Sequence, residues 1–193
     1  MSLPSVLLLV SCLVALITGI FGYLATDAQS KPAVLQFMIF VDAITAFLLL
    51  WVHSGWQRLT QILLAAGLIF GCVFLAVMLT GNEGPALSIL VKTGYLSLFV
   101  GALAVILSRM QHITEYITVS PAFWVSAGIF FLYGLLALLL FLNPLEEPSR
   151  LLSDSDFALM YTILHIMRFL FFAIAVWLYA PLRQSPPPRQ DRR

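Results

Sequence analysis

The sequence predicts an all-α, polytopic membrane protein with six transmembrane helices and both termini in the cytoplasm. Three observations carry that expectation. Of 193 residues, 61% are hydrophobic and 10% are charged, whereas soluble domains average roughly 25% charged. Six stretches are apolar over the length that a helix needs to cross a bilayer, about 20 residues. The basic residues between these stretches fall unevenly on the two sides that six crossings would create.

The first stretch, residues 3–24, is LPSVLLLVSCLVALITGIFGYL. Its apolar run is too long for a cleaved signal peptide and lacks a basic start, so it reads as a retained helix. The second, 33–53, follows Pro32 and contains Asp42. The third, 59–80, carries Gly67 and Gly71 in a GxxxG pair, a spacing that lets two helices approach closely. The fourth, 86–108, follows Pro85 and contains Lys92. The fifth, 122–142, follows Pro121, and the sixth, 157–179, contains His165 and Arg168. Pro32, Pro85 and Pro121 suit the first turn of a helix, where a missing N–H costs nothing. Pro144, Pro148 and Pro181 are expected just past helix ends. No proline falls deep inside a span, so the proline-broken helix that many transporters use at mid-membrane is missing. Residues 1–180 thus form one transmembrane domain, and 181–193 a proline-rich basic cytoplasmic tail.

Orientation follows from charge. One side carries Arg58, Arg109, Arg183, Arg189, Arg192 and Arg193, and the other Lys31 and Arg150. The positive-inside rule puts the first set, and both termini, in the cytoplasm. Trp51, Trp56, Trp124 and Trp177 fall near that same end, as an aromatic belt would. The acidic segment 146–156 is then external. A net charge of +1 leaves no basic footprint for nucleic acid. Cys12 and Cys72 lie inside spans at unmatched positions, which argues against a disulfide or a metal site.

Function is concentrated in three charges inside the spans: Asp42, Lys92 and Arg168. Each costs about 2.5–3.5 kcal/mol on insertion scales, so such residues pair or face a cavity. At 1.5 Å per residue, Asp42 and Arg168 lie near mid-depth, while Lys92 is closer to the external surface. Tyr161, His165 and Arg168 share a face of the sixth helix by helical spacing. Ser88, Lys92 and Tyr95 form a similar stripe on the fourth, and Asp42 and Thr45 share a face of the second. These stripes predict a common interior that takes an amphipathic ligand with an acidic or carbonyl head, such as a lipid, fatty acid or quinone. Arg168 is the electrostatic anchor, His165 orients the head, Lys92 guards the external mouth, and Asp42 holds Arg168 when the pocket is empty. Tyr161 and Tyr95 complete the lining. A bare Asp42–Arg168 pair, with Lys92 reaching the headgroups, accounts for the same charges without a ligand. A proton or ion path through Asp42 and His165 is a third reading, opposed by the scarcity of polar residues in the cytoplasmic half of these helices.

Enzymatic readings find no constellation. His53 and His112 belong near the cytoplasmic face and His165 in the outer half, so two axial haem ligands do not match in depth. No His, Cys or carboxylate cluster has zinc spacing. The expectation is a non-enzymatic module without cofactor or metal. Its alternatives are a small proton-coupled carrier, or a structural subunit whose protein partner packs on small-residue faces, Gly67 and Gly71 first, or on the cytoplasmic tail.

Two segments also carry a resemblance. SPAFWVSAGIFFLYG (120–134) and MYTILHIMRFLFFAIAVWLY (160–179) resemble the last helices of small bacterial multi-helix membrane proteins. The shared features are the FW-x3-G-x4-Y pattern of Phe123, Trp124, Gly128 and Tyr133, and the closing FAIAVW. Related membrane modules are joined to histidine kinases as sensory inputs. The resemblance covers the last two or three helices and implies a module of the bacterial inner membrane with a sensory role. It assigns no role to Arg168.

Overall fold

The computed structural model describes residues 6, 8–13, 30–80, 85–112, 118, 120–142 and 154–182. Among them the chain is helical apart from short connections. Residues 8–13 belong to a first helix, α1. The others are α2 (Ser30–His53), α3 (Gln57–Thr80), α4 (Pro85–His112), α5 (Pro121–Leu142) and α6 (Asp154–Leu182). Four stretches are long and apolar enough to cross a membrane: Gln57–Thr80, Ala86–Gln111, Pro121–Leu142 and Thr162–Tyr179. α2 adds a shorter apolar stretch, Ile39–His53. Most of the first expected span, the acidic segment before Asp154, Arg150 and the tail 183–193 lie outside the described residues, as does the side chain of Lys31.

The prolines act as expected at helix starts: α4 begins at Pro85 and α5 at Pro121. Three expectations need correction. Pro181 lies within the last turn of α6 rather than beyond it, because a proline so near the end forfeits only one backbone hydrogen bond. Arg109 is on α4 rather than in a loop, since that helix runs a further turn to His112. Asp154 and Asp156 open α6 instead of sitting in the external loop, and acidic residues favour a helix N-terminus.

From α2 to α6, successive helices alternate in direction, as the registers of their contacts show. Ser54 to Trp56 make the whole turn between α2 and α3. The Ser54 N–H donates to the Leu50 carbonyl at 2.8 Å and the Thr60 N–H to the Trp56 carbonyl at 2.9 Å, so each helix carries its own four-residue bonding pattern up to the corner. The Ser54 and Thr60 hydroxyls share a 2.6 Å hydrogen bond across the corner.

Lipid tails are as apolar as leucine, so helix association in a bilayer depends on close packing rather than on the hydrophobic effect. Glycines supply the notches here. Gly94 and Gly101 of α4 lie seven residues apart and receive Phe70 and Leu63 of α3, also seven apart, in antiparallel register. Gly134 of α5 receives Phe99 of α4, whose ring stacks on Phe130 at 4.6 Å. Gly67 and Gly71 receive Phe47 and Ile44 of α2. That last contact corrects the sequence expectation: the GxxxG face is occupied within the chain and is not open to another protein. The outer faces are apolar and exposed, with Ile62, Leu68 and Ile69 on α3 and Ile166 and Leu170 on α6 among them. α5 is the most buried of the four spans and packs against α2, α4 and α6.

Phe70 is held between Phe47 and Phe74, at 6.0 and 5.7 Å, so it has little room to yield. A β-carbon at position 94 collides with its ring edge. We therefore expect Gly94→Val to destabilise the protein by at least the ~1–3 kcal/mol typical of overpacking, measured by thermal unfolding in detergent. An unchanged midpoint would show that α3 and α4 do not close on this notch.

Candidate functional site

The two mid-span charges meet. Arg168 Nη1 donates to Asp42 Oδ1 at 2.7 Å. Tyr133 of α5 donates its hydroxyl to the other carboxylate oxygen, Oδ2, also at 2.7 Å. His165, one turn before Arg168, holds Nε2 3.6 Å from Oδ2, near enough for charge attraction but beyond hydrogen-bond length. One carboxylate thus gathers side chains from α5 and α6 onto α2.

Local chemistry explains the arrangement. The guanidinium cannot shed its proton, and the Arg168 side chain is 2% exposed. Among apolar helices its charge requires a carboxylate at its own depth. Phe169 and Phe172 add their ring faces, with centroids 5.3 and 5.7 Å from Arg168 Cζ, a cation–π distance. Gly128 lets α5 close on this turn of α6: a β-carbon there would stand 3.0 Å from Phe171 Cβ and 3.5 Å from the Arg168 carbonyl oxygen. Thr45 turns inward on its own helix, donating to the Val41 carbonyl at 2.6 Å, and adds no contact to the pair.

The burial is one-sided. Asp42 keeps 19% of its side chain exposed and His165 16%. Tyr95 of α4 is buried and packs its ring on Tyr133, centroids 5.2 Å apart, so α4 reaches the cluster through a second tyrosine. Lys92, one turn from Tyr95, is half-buried and makes no ion pair among the described residues. The side chain of Tyr161 lies outside them. A cavity of about 80 Å³ opens between α2 and α3, walled by Phe47, Trp51, Leu63 and Gly67 among others. Its lining is apolar and includes none of the cluster.

Two participants escaped the sequence reading. Tyr133 was legible only as part of an aromatic pattern. The available signal was its hydroxyl: a tyrosine at mid-span, away from either interface, needs a hydrogen-bond partner. His53 was expected merely near the cytoplasmic face. It is buried instead, 2% exposed. Its Nδ1 contacts the Leu49 carbonyl at 2.8 Å and its Nε2 the Tyr179 hydroxyl of α6 at 2.8 Å. A carbonyl only accepts, so Nδ1 carries the proton and Nε2 of the neutral ring accepts from Tyr179. Arg109 of α4 donates Nε and Nη2 to the His53 carbonyl at 3.2 and 2.7 Å, capping the end of α2. Gly55 leaves room for that guanidinium, since a β-carbon would stand 3.2 Å from Arg109 Cζ. The C-terminal ends of α2, α4 and α6 are therefore gathered at one end of the bundle.

Comparison of the chain with protein-family models, with curated proteins and with solved structures finds no match.

Removing one member of a buried ion pair leaves the other uncompensated, at about 3–5 kcal/mol, whereas replacing both is often near neutral. We expect Arg168→Met to lower stability by about 3 kcal/mol, and Tyr133→Phe by about 1.5–3 kcal/mol, as for a hydrogen bond to a charged group. The double variant Asp42→Asn/Arg168→Met should recover part of the loss. Thermal unfolding of the three proteins checks this; a double variant no better than Arg168→Met would mean that the charges do not stabilise each other.

Proposed function

We propose that this chain is a non-enzymatic, six-span module of the bacterial cytoplasmic membrane with both termini inside, and that it binds a small amphipathic molecule through an anionic or carbonyl-bearing head. Occupancy passes to a protein partner, which makes the module sensory. The observation that carries this reading is the asymmetry of the central pair. Arg168 is 2% exposed and permanently charged, while its counter-charge comes from another helix and stays 19% exposed beside His165. An incoming anionic head competes with Asp42 for the same guanidinium, and His165 stands ready to hydrogen-bond it. The Asp42–Arg168 contact is the empty state of such a site. The resemblance of the last helices to sensory membrane modules supports the same role. The proposed orientation draws on Arg58, Arg109 and the basic tail, and on Trp51, Trp124 and Trp177 near helix ends at one side of the bundle.

A second reading has its own observation. Arg168 and Tyr133 together engage both oxygens of Asp42. A carboxylate so occupied serves equally as a fastener for α2, α5 and α6 in a structural subunit.

The two readings separate by the sign of two substitutions. Native mass spectrometry of gently extracted protein should show a discrete bound mass in the wild type. Arg168→Leu should abolish it. Asp42→Asn removes the internal competitor and should raise the occupied fraction. Equal occupancy in folded wild type and Arg168→Leu, or a bare chain throughout, leaves only the fastener.

A further inference from the structure

α2 and α6 are joined twice, in the same register. Asp42 meets Arg168, and His53 meets Tyr179. His53 lies eleven residues beyond Asp42 on α2, and Tyr179 eleven residues beyond Arg168 on α6. Eleven residues are about three helical turns, so on each helix both groups share one face, about 16 Å apart along the axis. The two helices therefore run in the same direction and carry two polar rungs of equal spacing. They are not close-packed neighbours: α6 lies chiefly along α5, and α2 along α3, α4 and α5. Long side chains, rather than interlocked backbones, tie one to the other.

The rungs differ in kind. The upper one is ionic and has an accessible side at Asp42 and His165. The lower one is a neutral hydrogen bond whose α2 side is fixed twice, by the Leu49 carbonyl on the ring and by Arg109 on the backbone. A neutral bond at the end of a helix has a narrow geometric tolerance, and three turns of intact α-helix link it to Arg168. Beyond Leu182 the sequence continues into the basic, proline-rich tail.

The geometry points to α6 as a rod that reports occupancy of the Arg168 site at its cytoplasmic end: loss of the upper rung shifts α6 against α2 and releases Tyr179 from His53. The inference rests on the sensory reading above and names how that site is read out.

The test needs no ligand, so it fails or holds separately from ligand binding. Hydrogen–deuterium exchange is followed over residues 176–182, whose amides are those of 176–180 and 182, in nanodiscs for the wild type, Asp42→Asn, Tyr179→Phe and the double variant. Sites more than about 10 Å apart ordinarily act independently. Coupled rungs predict that Asp42→Asn speeds exchange at 176–182 several-fold, and that the double variant is no faster than Tyr179→Phe alone. Faster exchange confined to the turns around 168, or effects that multiply in the double variant, overturns the proposal while leaving a ligand site at Arg168 standing. Should Asp42→Asn fail to fold, Arg168→Lys replaces it with the same two outcomes; it keeps the charge but loses the planar fork that reaches Asp42.

Discussion

A guanidinium in the middle of a helical bundle leaves the surrounding chain few options. It keeps its proton, it is poorly served by hydrocarbon, and the attraction of a counter-ion grows as the dielectric falls. In this protein the answer is Asp42, 2.7 Å away on another helix. That contact sets the rotation of α2 and of α6 about their own axes. With Asp42 turned inward, its second oxygen faces α5 and takes the Tyr133 hydroxyl. Tyr133 in turn carries Tyr95 of α4 against its ring. Four helices are thus oriented, directly or at one remove, by a single carboxylate.

Close packing provides what the ion pair cannot, namely proximity. Glycine notches on α3, α4 and α5 accept Phe47, Phe70, Leu63 and Phe99. Gly128 brings the backbone of α6 against α5 at the turn that bears Arg168. A β-carbon at that position would press on Phe171 and the Arg168 carbonyl, at the turn from which Arg168 reaches Asp42. Packing and electrostatics therefore meet at one turn of α6.

A charge pair that organises a bundle can also be used by it. Its two ends are unequal, one sealed and one part-exposed, and that inequality is what the proposed ligand site rests on. A second connection between the same two helices lies three turns away, where α6 ends. The residues that hold the fold at rest are thus the same ones through which we propose that α6 is read out.

Much of this was legible in the chain. Composition and the length of the apolar runs dictate helices, because a backbone in lipid must satisfy its own hydrogen bonds. Pro85 and Pro121 mark helix starts because proline lacks the N–H that a first turn does not need. Depth also follows from sequence at a fixed rise per residue, which put Asp42 and Arg168 at one level before any contact was known. Tertiary structure alone decided which faces meet. Rotation about a helix axis is set by neighbours, and apolar residues surround these helices too evenly to reveal it. That is why Tyr133 passed for a packing residue, why the partner of Gly67 and Gly71 proved to be α2 of the same chain, and why the His53–Tyr179 rung could not be read from two residues 126 positions apart.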